Sequence, residues 1–138
     1  MVEKCVFCDK ENIKKAGIIY EDNLCYVLLN KYPISNGHML IISKTHYSDI
    51  LTAPKNVISN IFFIAKEVAL SIDSIYKPKG IKIVTNAKDI VEIAHFHIHV
   101  IPMYENLDYE GFKRRKEISE QEKQNLLKDF ENFKINKN

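Results

Sequence analysis

Apolar residues recur along this chain with two different periods, and each period predicts a different element. Val57, Ile61, Ile64, Val68, Ile72 and Ile75 follow one another by three or four positions, the spacing of one helical face turned toward a core. That stripe predicts one long helix from Pro54 to about Tyr76, with Pro54 in its first turn and Lys77-Pro78-Lys79-Gly80 ending it. Phe62, Phe63 and Leu70 lie beside the stripe, as core or as a partner surface. Elsewhere the pattern is that of strands: Gly17–Glu21, Leu24–Leu29, His38–Ser43, Ile81–Asn86 and Ile93–Ile101. Glu21-Asp22-Asn23 predicts a tight turn, with Asn23 suited to a left-handed backbone. Three strands without helices between them predict an antiparallel meander. From Ser119 the chain returns to helix, with Ser119 and Glu122 spaced as a capping box and Leu126, Leu127, Phe130 and Phe133 forming an apolar face.

The fifth strand holds the chain's most informative stretch, Ala94-His95-Phe96-His97-Ile98-His99-Val100-Ile101-Pro102. Three of the five histidines alternate there with large apolar residues, so strand geometry predicts imidazoles on one face and Phe96, Ile98 and Val100 on the other. Same-face neighbours on a strand are ~6.6 Å apart, close enough for several rings to act on one ligand. Pro102 should end the run, because it cannot donate to a ladder.

Length and composition narrow the classes. At 138 residues the chain predicts one domain. A formal charge of +2, from 20 basic and 18 acidic residues, supplies no field that would recruit nucleic acid or a membrane surface. The basic cluster Lys113-Arg114-Arg115-Lys116 is offset by neighbouring glutamates and reads as solvated surface. No apolar run approaches the ~20 residues needed to span a bilayer, and Met1–Cys5 has no signal-peptide pattern. Three cysteines, two of them in Cys5-Val6-Phe7-Cys8, do not form a secreted disulfide framework, so a reducing cytoplasm is expected. Cys25, on an apolar strand, should be core.

Alternating histidines suit two chemistries. A neutral imidazole can attack phosphorus near pH 7 while its neighbours donate to the non-bridging oxygens. Alternatively, His95, His97 and His99 could hold a catalytic zinc with an open fourth position. The Cys5–Cys8 pair complicates that second reading, because its spacing is that of a zinc knuckle seeking two more ligands.

His95-Phe96-His97-Ile98-His99-Val100-Ile101 resembles the signature of the histidine-triad (HIT) superfamily of nucleotide hydrolases and transferases. Asn30-Lys31-Tyr32-Pro33, then Gly37-His38-Met39-Leu40-Ile41-Ile42 and Lys44-Thr45-His46, resemble its other block. The resemblance implies an α+β fold with a five-stranded antiparallel sheet and a long helix, paired into a homodimer. It divides the single domain 1–138 into a core over 1–110, with the Cys-x-x-Cys knuckle, and a helical extension over 111–138. It implies cleavage at the α-phosphate of a nucleotide, purine by expectation, with His97 as the nucleophile forming a covalent nucleotidyl-histidine. It places His99 and His38 on the phosphate, Asn86 beside the phosphate or the catalytic ring, Asn30 on the ribose, and Leu28 and Leu29 along the base. Asn30 in place of an acidic residue is similar to the branch that cleaves dinucleoside polyphosphates; nucleoside phosphoramidates are the other substrate class. Some members, and the related hexose-1-phosphate uridylyltransferases, carry a structural zinc, which here would fall to Cys5, Cys8, His46 and His95. Many members have a Gly-Gln pair in the phosphate loop, whereas Ala87–Glu92 has neither residue and is shorter. Ser43 and Met103 are milder departures, standing where proline and arginine are common. The altered loop motivates a second expectation, a zinc-stabilised nucleotide-binding module with little catalysis.

Overall fold

The computed structural model describes residues 5–91, 93–105 and 117–135. Five antiparallel strands form one sheet in the order β1-β2-β3-β5-β4: β1 (Ile18–Glu21), β2 (Cys25–Leu29), β3 (Met39–Ser43), β4 (Gly80–Val84) and β5 (His97–Met103). Helices α1 (Lys10–Ala16), α2 (Lys55–Tyr76) and α3 (Glu120–Asp129) cover it. The α+β architecture with the meander β1-β2-β3 is therefore the expected one. No described helix is long and apolar enough to cross a membrane.

Alternation along the strands builds two different faces. Val27, Leu29, Met39, Ile41, Ile98 and Val100 point to the face covered by α2, where Val57, Ile61, Ile64, Ala65, Val68 and Ile72 complete the main core. On the opposite face, Leu28, Leu40 and Ile42 pack beneath Ile13 of α1 and the Phe7 ring. The register pairs Ile42 with His97 and Leu40 with His99, so the two histidines share this second face. A sheet with one face wholly devoted to a helix leaves the other free to carry a site.

Several boundaries differ from the sequence reading, each for a physical reason. The fifth strand does not begin at Ile93; its ladder with β3 starts at His97, and it continues to Met103 through Pro102. Proline is tolerated because β3 starts opposite Val100, so beyond that point no β3 partner awaits an N–H. The Pro102 carbonyl there accepts from the Ser35 hydroxyl instead. The tight turn does not use a left-handed Asn23. Asp22 closes it by accepting from the N–H groups of Leu24 and Cys25, at 2.7 and 2.8 Å, an Asx-type turn. Ile75, expected in the core-facing stripe, is 41% exposed at the end of α2. The charged stretch after the cysteine pair, to which the periodicity assigns no element, forms α1: Asp9 caps it by accepting from the Glu11 N–H, and Gly17 (φ 94°) ends it. The Ser119–Glu122 capping box forms as expected, seating Leu126 and Phe130 in the core. Cys25 is fully buried. The cluster 113–116 lies outside the described residues.

Candidate functional site

The alternating histidines divide into two groups. His95 precedes the strand, and it does not line the cavity that His97 and His99 share. Its Nε2 donates to the Ser43 carbonyl at 2.6 Å, which leaves Nδ1 as a lone pair. That Nδ1 lies 3.1 Å from His46 Nδ1, 3.3 Å from Cys5 Sγ and 3.5 Å from Cys8 Sγ; Cys8 Sγ and His46 Nδ1 are 3.4 Å apart. Four ligand atoms thus lie within 4.8 Å of one another. A tetrahedral zinc with ordinary Zn–N and Zn–S bonds would have ligand–ligand edges of about 3.3 to 3.8 Å. Two thiols and two imidazoles at these separations fit a closed Cys2His2 zinc, and the Ser43 carbonyl supplies the outer hydrogen bond that fixes the His95 tautomer. Among the described residues no group that could hold a metal includes His97 or His99, so the alternative of zinc on His95, His97 and His99 has no geometric support.

His97 and His99 face a cavity of about 900 Å³. The His97 Nδ1–H donates to the His95 carbonyl at 2.6 Å, leaving Nε2 as the nitrogen with a free lone pair. Thr85 fixes the His97 backbone from the β4 side by donating to the His97 carbonyl at 2.7 Å. Behind His99 the tautomers form a chain. The Ile34 N–H donates to His38 Nδ1 at 3.0 Å, so His38 Nε2 carries the proton and donates to His99 Nδ1, also at 3.0 Å. His99 Nε2 is then an N–H donor. Burial, aided by neighbouring His99, pushes the His38 pKa down to about 3; burial, aided by His97, pushes His99 down to about 4. Burial also lowers His97, partly opposed by its bond to the His95 carbonyl. Neutral rings follow, and a neutral ring keeps the His97 lone pair available.

The remaining expected residues are distributed around this centre. Leu28 and Leu29 line the cavity on the β2 side. Asn30 lines it too; its Oδ1 accepts from the Tyr32 N–H at 2.8 Å, and its Nδ2 stands 3.1 Å from His38 Nε2, donor against donor. Asn86 lies two residues beyond the end of β4, where Val84 pairs with His99, and lines the same cavity as His97. His38 is only 2% exposed.

Some cavity residues escape sequence reasoning. Phe7, inside the cysteine knuckle, sets its ring edge-on to both His95 and His97, with centroids 5.8 and 5.1 Å apart. An aromatic between two metal-competent cysteines was the available signal. Ile118 and Lys123 line the cavity from the C-terminal segment, held by the Ile118 N–H on the Lys31 carbonyl and by Lys123 Nζ on the Lys15 carbonyl. No local pattern near Ser119 points to that contact.

Comparison with known proteins gives the family. The family model described as HIT domain matches residues 11–106. The chain belongs to the HIT family. An HIT-like protein of Saccharolobus solfataricus is 30% identical over 103 residues, covering 72% of this chain and 74% of that one. An adenylylsulfatase of Arabidopsis thaliana is 33% identical over 107 residues, 73% of this chain but 53% of its own length. Among solved structures, a histidine triad nucleotide-binding protein from Sulfolobus tokodaii superposes with a TM-score of 0.79 at 32% identity, covering 93% of this chain and 90% of that one. A zinc-bound histidine triad protein from Mycobacterium smegmatis gives 0.74 at 27% identity, covering 94% of each.

Proposed function

We propose that this HIT protein is a nucleotidyl hydrolase or transferase acting at the α-phosphate of a nucleotide, a nucleoside phosphoramidate or dinucleoside polyphosphate, through a covalent intermediate on His97. The observation that carries the reading is the tautomer of His97: with Nδ1–H committed to the His95 carbonyl, the Nε2 lone pair is available beside the cavity. Nε2 attacks phosphorus, and the bond to the leaving group breaks with its electron pair. Water then displaces His97 and releases the nucleoside monophosphate. His99 Nε2–H donates to a non-bridging oxygen, where charge accumulates. His38, with both ring nitrogens engaged, acts behind His99 as a positioning residue. Leu28 and Leu29 flank a purine base, the Asn30 amide donates to the ribose hydroxyls, and Asn86 steadies the phosphate beside His97.

Cys5, Cys8, His46 and His95 hold structural zinc in this reading, supported by their donor set and spacing. When bound, the ion supplies rigidity, with no open position for water. The residue whose side chain it ties down is the one whose carbonyl orients His97. Phe62, Phe63 and Leu70 on α2 and Ile83 on edge strand β4 are exposed, and we assign them to a homodimer. Reduced thiols at Cys5 and Cys8 suit the cytoplasm.

The test compares wild type with His97→Ala on nucleoside phosphoramidates and dinucleoside polyphosphates, while nucleoside monophosphate binding is followed by calorimetry. Turnover should fall at least a thousandfold with binding retained. A wild type that binds nucleotide tightly yet turns over no member of the panel would instead establish a binding module.

A further inference from the structure

The segment joining β3 to α2 grips the connection between β4 and β5 at both ends. The Tyr47 carbonyl accepts from the Phe96 N–H at 2.6 Å, one residue before His97. Two residues on, the Asp49 carboxylate reaches the other end, where Oδ2 accepts from the Lys88 N–H at 2.9 Å. Its second oxygen stays within the segment: Oδ1 accepts from the Leu51 N–H, also at 2.9 Å. Asp49 is 7% exposed and does not line the cavity. Burying a carboxylate is costly unless its oxygens find donors, and here one of the two is given to a peptide 39 residues away. Lys88 is the residue that needs holding. It adopts φ 63°, left-handed for a residue with a side chain, and 87–92 contains no glycine that would take that conformation freely. Such a backbone persists where contacts around it impose it.

Asn86 lies between two fastened points. Just before it, the Thr85 hydroxyl donates to the His97 carbonyl at 2.7 Å; two residues after it, the Lys88 N–H is tied to Asp49. Asn86 itself is exposed and lines the cavity with His97. With the Thr85 bond alone, the chain beyond it could swing about Asn86 and Ala87. The second anchor removes that freedom. We infer that Asp49 is a positioning residue for transfer to His97: through the Lys88 N–H it holds Asn86 at the phosphate, while its own side chain touches neither the substrate nor His97. The inference rests on the nucleotidyl-transfer reading above, in which Asn86 steadies the phosphate. Loss of the anchor leaves the nucleoside end of the cavity intact, so substrate still binds, but the phosphate is held less well in line with His97 Nε2.

Asp49→Asn is the sharpest variant. Its amide oxygen can still accept from the Leu51 N–H, whereas its NH2 group then faces the Lys88 N–H, so the local turn is kept and the distant bond is lost. With a nucleoside phosphoramidate, kcat should fall about ten- to a hundredfold, with KM within about twofold of wild type. The double variant Asp49→Asn, Asn86→Ala should be within about twofold of Asn86→Ala alone, as for two residues acting in series. Amide hydrogen exchange over 84–91 should speed up in Asp49→Asn and stay unchanged over α2. Thr52→Val removes the hydroxyl that donates to the Asp49 carbonyl but spares the carboxylate, and should keep the wild-type kcat. Unchanged exchange in Asp49→Asn overturns the anchor whatever the reaction. Faster exchange with wild-type kcat, fully additive losses in the double variant, or an equal loss in Thr52→Val overturns the positioning role while His97 chemistry stands. A wild type without turnover or adduct on His97 overturns the nucleotidyl-transfer reading, and the positioning role with it.

Discussion

At the scale of single residues, the site depends on His95 serving two directions at once. Its side chain reaches the cysteine knuckle while its carbonyl holds His97 Nδ1–H. Phe7 adds a second link, packing on both rings from inside the knuckle. Replacing Phe7 with Leu should lower kcat up to about tenfold, the scale of a lost aromatic contact, with less effect on KM and one zinc per chain retained. Phe7→Tyr should restore most of the rate. Loss of zinc in Phe7→Leu would assign the ring to the metal site instead. The buried histidines also set a pH dependence. In the unfolded chain His38 and His99 take up protons near pH ~6.5, whereas in the folded protein they resist until about 3 and about 4. The unfolded state therefore binds more protons between those limits, so stability falls as pH drops from ~6.5 toward 4 and levels off below the folded values. Urea midpoints recorded from pH 7 to 4 should show this slope, reduced in His38→Gln; an unchanged slope in the variant contradicts it.

At the scale of elements, what could be read from the sequence was whatever local periodicity controls. The stripe from Val57 to Ile72 and the strands flanking it are short-range patterns, and they fold as read. The start of β5 is not short-range. The alternation His95-Phe96-His97 continues the strand pattern, yet the ladder begins only at His97, and the His95 ring gathers with the distant Cys5, Cys8 and His46. The zinc ligand set came from resemblance to relatives, since spacing identified only the cysteine pair. Helix α1 leaves faint marks in the sequence, Asp9 at the N-cap and Ile13 and Ala16 three apart, obscured by three lysines and a glutamate. Helix α3 reaches the cavity as well as the core, since Lys123 and the preceding Ile118 line it. Removing its anchor by Leu126→Ala should cost about 2–4 kcal/mol and weaken nucleotide binding. Chemical denaturation together with calorimetry checks this; full stability with normal affinity would detach α3 from the site.

At the scale of the whole molecule, α2 covers one face of the sheet and the opposite face carries the histidine-lined cavity, with Cys5 and Cys8 of the N-terminal knuckle meeting His46 and His95 beside it. Elemental analysis should find one zinc per chain, and Cys8→Ser should lose the metal and lower the melting temperature. Retention of zinc in that variant contradicts the cluster. Sedimentation should give about twice the 16.1 kDa chain mass, and Phe62→Glu combined with Phe63→Glu should shift it toward one. The central claim is narrower than any of these: phosphorus becomes bonded to one particular nitrogen. Mixing the protein with a nucleoside 5′-phosphoramidate, quenching in base within a single turnover and mapping the added mass tests it most directly. The result expected is a nucleoside monophosphoryl group on His97, absent in His97→Ala; substrate consumption by wild type with His97 unmodified at every quench time would contradict it.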